Sequence, residues 1–528
     1  MSVSLRNFEE GDFEAVQALL TAQIGPELAA NELAQPEPLK AFLMMENVFG
    51  LVAVDDSNLL GAVFILMEQE TSQSVVGLLT RFSVADVPGR SDIAANLVAT
   101  AMQSLDGNLQ LSFAEIPSEA VWAQAACESG GFKVCGFLPH KFQKAARCGG
   151  VVYGRLSESA QNLRRPHPAL IPSVLDLAVE SLKSLGTLED IESRDDVAAY
   201  PTECIYTTTP IDAEVVGTMR QSQTQQESAI FPALQGYQTQ LHLPASQPAY
   251  LAAKDGDRVI GAMGYVVDPF DRRVQITDMI TLEGEPQGFL AAQIFETLSE
   301  QVSPDYWEVL VSAHAPRMQK TFDQMGFAPC AYIPCFGVEH GMRSDAIKMV
   351  KLNAGYKSET MELTSAGKSA FTLIDTIFRE YSVGMAVLKL LRDLRIFQGL
   401  GEGELRRVAR LFTQKLFKPG EALFEEGTTG QELYVVERGE IEIRTKNGSM
   451  LLGTIRNGAV LGEIAFLNNE PRTARAVSKS ATIVRVIHRT DFDRLTQREL
   501  HLGRVFFQNV AMDLAEKLKQ TVVKSKSS

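Results

Sequence analysis

LGEIAFLNNEPRTARAV, residues 461–477, sets one carboxylate, Glu463, nine residues ahead of one guanidinium, Arg472, with Gly462 before the first and Pro471 before the second. A pocket for a compact anion needs a fixed cation and several N–H donors, and this stretch holds both. Arg472 is the cation, and a short helix starting at Ile464, Ala465 and Phe466 points its first N–H groups outward. Gly462 lets the backbone come close. The competing explanation, a structural ion pair between Glu463 and Arg472, stays open on sequence alone.

The surroundings fix the architecture. Leu405, Val408, Ala409 and Phe412 recur at i, i+3, i+4 and i+7, which predicts one apolar helical face. After it, short stretches alternate apolar and polar residues (Leu433 and Val435, Ile441 and Ile443). Glycines recur at 420, 427, 430, 439, 448, 453 and 458. Short strands with closely spaced turn signals predict a small β-roll. SATIVRVI adds a strand, Thr490 is the expected N-cap of the helix at DFDRL, and a last helix carries Leu502, Val505, Phe506, Val510, Leu514 and Leu518.

This module, about residues 388–520, resembles the cyclic-nucleotide-binding domain of catabolite-activator-type regulators, protein kinase regulatory subunits and gated channels. The phosphate-binding cassette of that family, Phe-Gly-Glu-Leu/Ile-Ala followed by Pro-Arg-x-Ala, is met by Leu461-Gly462-Glu463-Ile464-Ala465 and Pro471-Arg472-Thr473-Ala474. Leu461 for the aromatic is the sole change in the first block. The resemblance implies that Arg472 and the N–H groups after Gly462 hold the cyclic phosphate, with Glu463 accepting from the ribose 2′-hydroxyl. Thr473 stands where cGMP-selective relatives carry threonine, but many bacterial cAMP binders carry serine or threonine there too. Arg475 departs from the Thr/Ser often seen at its position. cAMP, the commoner bacterial messenger, is the expected ligand, with cGMP open. With the sequence ending at Ser528, no helix-turn-helix of a transcription regulator is expected after the last helix.

The first 350 residues contain an internal repeat. LVAVDDSNLLGAV at 51–63 matches LAAKDGDRVIGAM at 251–263, and GFKVCGFLP at 131–139 matches GFAPCAYIP at 326–334. The first pair predicts two β-hairpins, each second strand ending in Gly-Ala. The second predicts a strand after a helix carrying Trp122, Ala125 and Ala126, or Met318, Phe322 and Met325.

This order, with a helix at EEGDFEAVQALLTAQI, resembles the Gcn5-related N-acetyltransferase (GNAT) fold, over residues 3–155 and 200–352. The resemblance implies acetyl-CoA as cofactor and a protein-lysine or small-amine acyl acceptor. The chemistry-bearing positions match less well. In PGRSDIAANLV, Arg90 and Ala95 are the acyl-CoA candidates, but Ile93 replaces the middle glycine of the pyrophosphate loop. In LEGEPQGFLAAQIF, Gly284 and Gly288 do not match its spacing. The usual tyrosine general acid falls on Cys127 in copy one and Phe322 in copy two, and phenylalanine donates no proton. His314 is the remaining acid/base candidate, a strand-end histidine being its ordinary explanation.

The expected fold class is therefore multidomain α/β plus β. GNAT-like domains at 1–155 and 200–352 flank a proline-containing linker and helix at 156–199. A second linker and helix at 353–387 leads to the cyclic-nucleotide-binding domain at 388–528. Net charge is −15, unevenly spread: residues 391–528 hold 23 Lys+Arg against 17 Asp+Glu, and the first 390 hold 27 against 48. An acidic body disfavours nucleic acid. No apolar run spans a membrane and no leader is evident, so a soluble, cytoplasmic protein is expected. The six cysteines form no C-x-x-C pair, so no metal is assigned. Two functions follow: a nucleotide-regulated N-acyltransferase, or a nucleotide-binding scaffold whose GNAT-like repeats have lost turnover.

Overall fold

The computed structural model describes residues 3–526 apart from 25–35, 57, 72–73, 143–146, 188–190, 195, 203, 222–228, 232–247, 270, 282–285, 340, 354–355, 359–360, 446–448 and 469. It divides into two compact units, Met1–Phe378 and Arg379–Ser528.

The first unit is built on one mixed sheet of 14 strands. Its first half runs β1 (Val3–Asn7), α1 (Phe13–Ile24), α2 (Pro36–Leu43), β2 (Val48–Asp55), β3 (Asn58–Thr71), β4 (Ser74–Val84), α3 (Arg90–Ser104), β5 (Leu111–Pro117), α4 (Val121–Ser129), β6 (Lys133–Phe142) and β7 (Cys148–Leu156). Then come α5 (Glu158–Asn162), β8 (Ala169–Leu170), α6 (Pro172–Leu185) and β9 (Glu192–Ser193). The second half runs β10 (Thr207–Ile211), α7 (Ala213–Gln221), β11 (Ala249–Asp255), β12 (Arg258–Asp268), β13 (Arg273–Thr281), α8 (Gln287–Gln301), β14 (Tyr306–Ser312), α9 (Pro316–Gln324), β15 (Ala328–Glu339) and β16 (Met342–Leu352). Strand order across the sheet is β1-β2-β3-β4-β5-β7-β6, then β15-β16-β14-β13-β12-β11-β10. Each half is thus the reverse of the other.

The two hairpins pair Asp55 with Asn58 and Asp255 with Arg258. Their Gly-Ala pairs lie near the start of the second strand, not at its end, because β3 continues to Thr71 and β12 to Asp268. In each half the fourth and fifth strands are parallel and pair only briefly: Val76–Leu79 with Leu111–Ala114, and Arg273–Ile276 with Tyr306–Val309. Beyond those pairs the strands part, which opens a cleft at the same place in both halves.

The halves join at β6 and β15 through the register pair Gly136↔Ala331. A Cβ at Gly136 would lie 2.2 Å from the Cys330 carbonyl oxygen, so only glycine permits this approach. Helices outside the two repeats reinforce the seam by crossing it. The Ile171 N–H, just before α6, donates to Gln319 of α9 at 3.1 Å, and Ser173 donates to Asp323 at 3.3 Å. Reciprocally, the Thr364 N–H donates to Gln124 of α4 at 3.2 Å and its hydroxyl to Glu128 at 2.6 Å. Thr364 precedes α10 (Ser365–Arg392). The helix after each half is therefore bound to the other half.

Charged side chains of both halves are also buried together. Lys141 Nζ lies 2.6 Å from Glu308, and Lys348 Nζ lies 2.7 Å from Glu115 and 3.0 Å from Glu308. Arg273 adds a contact of 3.2 Å to Glu308. Buried ion pairs hold only while every member is satisfied, so the network favours this pairing of halves over others. Burial, with help from the Glu308 carboxylate, pushes Glu115 up to about 7, against the pull of Lys141 and Arg273. Glu115 by itself binds a proton that the unfolded chain has released, which lowers stability as pH rises from about 5 to 7, while burial holds its partner Lys348 well below the usual lysine range and acts in the opposite direction. Thermal unfolding should show the parent losing stability relative to Glu115→Gln, which cannot ionise, across that range.

The second unit takes up the end of α10, with α11 (Glu402–Arg410), β17 (Thr413–Phe417), β18 (Ala422–Phe424), β19 (Glu432–Arg438), β20 (Ile441–Thr445), β21 (Met450–Ile455), β22 (Val460–Leu461), α12 (Glu463–Asn468), β23 (Arg475–Ser478), β24 (Thr482–His488), α13 (Arg489–Arg498) and α14 (Leu500–Lys526). Two four-stranded antiparallel sheets, β17-β24-β19-β22 and β18-β23-β20-β21, form the roll. Tyr434, Val436, Ile441, Ala476, Val484 and Val486 fill it. A second apolar cluster joins the helices to the outside of the roll through Leu388, Leu391, Phe466, Phe492 and Phe506. Thr490 is not an N-cap: α13 opens at Arg489, after His488, two residues earlier than expected. The last helix runs past Leu518 to Lys526. Among the described residues no helix is long and apolar enough to cross a membrane.

Candidate functional site

Arg472 lies in the connection between α12 and β23, and its backbone is pinned first. Its N–H donates to the Thr428 carbonyl at 2.8 Å, and its carbonyl accepts from the Gly427 N–H at 2.8 Å. So anchored, the side chain turns inward and is only 2% exposed. Its guanidinium lies over the Phe424 ring at 4.4 Å, with Tyr434 at 5.6 Å. Nη1 donates to the Gly462 carbonyl at 3.2 Å, and Nη2 donates to the Glu432 carbonyl at 2.9 Å and its carboxylate at 3.1 Å.

The carboxylate partner of Arg472 is therefore Glu432, not Glu463, which sets aside a Glu463–Arg472 pair. Nε of Arg472 is buried and has no acceptor among the described residues. A buried cationic N–H left unpaired costs about 1–3 kcal/mol or more, so such a group calls for a partner.

Glycine makes room for this arrangement twice. Gly462 has φ 85°, and a Cβ there would lie 2.4 Å from Arg472 Nη1; at Gly430 it would lie 2.8 Å from Nη2. Gly462 also starts α12: its carbonyl accepts from the Phe466 N–H at 3.0 Å. That bond takes Phe466 out of the expected donor set and leaves the first-turn N–H groups of Ile464 and Ala465, which have no carbonyl inside the helix to bond. Ala465 is buried, Ile464 and Thr473 are exposed, and Glu463 lines a small cavity with Leu433, Val460, Phe506 and Asp513. At the other end of α12, Arg489 donates to the Phe466 carbonyl at 2.6 Å, satisfying the helix C-terminus with a cation. Sequence reasoning missed Glu432. Its position at the start of a strand, two residues after Gly430, carries no periodic signal, and its contact with Arg472 spans 40 residues.

The family model for the cyclic nucleotide-binding domain matches residues 414–499. Those residues are a cyclic nucleotide-binding domain. The domain is similar to the cAMP-dependent protein kinase regulatory subunit of Yarrowia lipolytica, 34% identical over 105 residues, which are 20% of this chain and 28% of that one. It is similar to a cyclic nucleotide-gated channel of Caenorhabditis elegans, 32% identical over 107 residues, 19% of this chain and 15% of the channel. The chain thus spans under a third of either relative's length. Among solved structures, the catabolite activator protein of Thermus thermophilus is 27% identical over 25% of this chain and 62% of its own, with a TM-score of 0.23.

The candidates in the first unit are scattered. Arg90 opens α3 and lies over the Trp122 ring at 4.4 Å, 3.5 Å from Asp86, with its Nε buried and lacking an acceptor among the described residues. Ala95 is half-buried and Ile93 belongs to the core. Cys127 is fully buried, and burial pushes its thiol far up, which makes it a poor proton donor. Phe322 is fully buried as well. His314 sits in the turn after β14, its backbone N–H on Ser312 Oγ at 3.2 Å. Gly284 lies outside the described residues, and Gly288 is packed so closely on the 200–201 segment that a Cβ would meet the Pro201 carbonyl at 2.6 Å.

The cleft of the second half is filled by the chain itself. Ile230 bridges antiparallel to Val311. The Phe231 N–H donates to the Leu310 carbonyl at 2.9 Å, and the Ser312 N–H donates to the Ala229 carbonyl at 3.0 Å.

Gly462→Ala should destabilise the second unit by about 1–3 kcal/mol, combining a left-handed backbone with crowding of Arg472. Chemical denaturation should show a lower midpoint for the second unit alone.

Proposed function

We propose that this protein is a cyclic-nucleotide sensor, taking cAMP in preference to cGMP, whose first unit receives the signal. The observation that carries this reading is the buried Arg472 with its unsatisfied Nε beside the start of α12. A cyclic phosphate brings acceptor oxygens to Nε and to the N–H groups of Ile464 and Ala465, each charge-assisted bond contributing about 1.5–3 kcal/mol. Glu463, one residue after Gly462, is assigned to the ribose 2′-hydroxyl and Thr473 to the base edge. The preference for cAMP is supported by the several regulatory subunits of cAMP-dependent kinases among the similar proteins.

For the first unit, the strand order and the parting of the parallel pair in each half support a tandem GNAT-type fold. The second half is assigned as a scaffold without turnover. Ala229–Phe231 occupies its cleft, the 200–201 segment covers the start of α8, and Phe322 offers no proton. Regulated N-acyl transfer, from acetyl-CoA to a protein lysine or small amine, then falls to the first half. The unsatisfied Arg90 Nε at the start of α3 favours it as the phosphate-facing cation there.

Titration calorimetry separates these readings. The chain should bind cAMP or cGMP more tightly than about 100 μM, and Arg472→Ala should weaken that by at least tenfold, about 1.4 kcal/mol. No binding, or no effect of Arg472→Ala, rejects the sensor. Saturable acetyl-CoA binding, lost in Arg90→Ala and accompanied by nucleotide-dependent turnover, supports regulated transfer; no binding in either nucleotide state leaves the scaffold.

A further inference from the structure

We propose that Arg489 is a positioning residue for nucleotide binding: without touching the ligand, it holds α12 in place, and through Gly462 it keeps Arg472 with its Nε turned to the anion. This rests on the sensor reading above, and every group it involves lies in the second unit.

α12 cannot hold its own place. It has six residues, Glu463–Asn468, and a helix that short is not stable by itself in water. Its position comes from bonds at its two ends. At the start, the Gly462 carbonyl accepts from Arg472 Nη1 at 3.2 Å. At the end, where helix carbonyls lack partners, Arg489 Nη1 donates to the Phe466 carbonyl at 2.6 Å and to the Leu467 carbonyl at 3.1 Å. The Phe466 N–H, bonded to the Gly462 carbonyl at 3.0 Å, links the two ends.

Both arginines hang from the same stretch of chain. The Arg489 N–H donates to the Gln431 carbonyl at 2.9 Å. The next residue, Glu432, takes Arg472 Nη2 on its carbonyl at 2.9 Å and on its carboxylate at 3.1 Å. Two guanidinium groups with a common anchor at the start of β19 therefore grip opposite ends of α12. Releasing one grip leaves the Gly462 carbonyl free to move off Arg472, whose buried Nε is the group the anion must meet.

The residue type at 489 points the same way. Arg489 is the first residue of α13, and the N-terminal end of a helix disfavours a cation. Asp493, 2.6 Å from Arg489 Nε and one turn on, offsets that charge. What the cation gains is the C-terminal end of α12, where the dipole favours it. The guanidinium also lies 5.5 Å from the Phe466 ring and 5.6 Å from the Phe507 ring, which restrict its plane. A planar fork meets carbonyls and a carboxylate at once, whereas a lysine ammonium keeps the charge on a looser stem.

The test joins titration calorimetry of the full chain with cAMP, or with cGMP if that binds more tightly, to the Arg472 Nε–H resonance in chain carrying isotope-labelled arginine. Arg489→Ala should weaken binding about tenfold or more, and Arg489→Lys, which keeps a cation for the Phe466 carbonyl, should stay within about threefold of the parent. Saturating nucleotide should move the Arg472 Nε–H resonance in the parent, and less than about half as far in Arg489→Ala. If Arg489→Ala does not fold, Asp493→Asn carries the test: it loosens Arg489 without touching α12, and should cost about threefold in affinity. Parent-like affinity in the variant that carries the test, a lysine variant as weak as the alanine one, or full movement of the resonance in Arg489→Ala overturns the proposal and leaves the sensor standing. Absence of binding by the parent overturns both.

Discussion

A single guanidinium organises the second unit. Arg472 is buried against two aromatic rings, its two terminal nitrogens are occupied by Glu432 and the Gly462 carbonyl, and its Nε has no acceptor among the described residues. Removing a charge from water is expensive unless hydrogen bonds replace what is lost, and two of the three nitrogens have that replacement. The third holds the site in a state of partial satisfaction. The glycines at 430 and 462, the turn at 427–428 and the start of α12 all make sense as what is needed to keep that group in place. Glu432 supplies two of the acceptors around the guanidinium, its carbonyl and its carboxylate.

The first unit depends on a different constraint, the close approach at Gly136. Once the two halves meet edge to edge there, the helices that follow them, α6 and α10, cross the seam, and the Lys141, Glu308, Lys348 and Glu115 cluster is sealed between them. Duplicated halves need not stay equivalent. In the second, the cleft where the parallel strands part is filled by Ile230 and the helix start is covered by Pro201. In the first, Arg90 Nε has no acceptor among the described residues at the corresponding helix start.

How much of this was legible in the sequence depended on the range of the interactions. The hairpins at 51–63 and 251–263, the amphipathic α11 and the Gly462-to-Arg472 stretch are written in local spacing, and they appear where spacing placed them. Glu432 was not legible, because its meaning comes from a contact 40 residues away. Nor was the crossing of α6 and α10, since Gln124 and Gln319 look like ordinary helix-surface glutamines until the partner N–H groups are seen. The expected cap at Thr490 failed for a local reason: the chain is already helical at Arg489, whose side chain bonds Asp493 one turn on and the end of α12. Phe466 was expected to offer its N–H to a ligand, but the helix uses that group to close its own first turn.

What Arg472 touches when ligand is present decides whether the second unit is a nucleotide sensor. The most direct measurement is a crystal structure of the chain grown with cAMP. A phosphate oxygen is expected within hydrogen-bond distance of Arg472 Nε, with the Ile464 and Ala465 N–H groups on the same phosphate and the Glu432 carboxylate moved away from the guanidinium. A nucleotide bound elsewhere, or bound here with Nε still lacking an acceptor and Glu432 unmoved, would contradict the sensor reading.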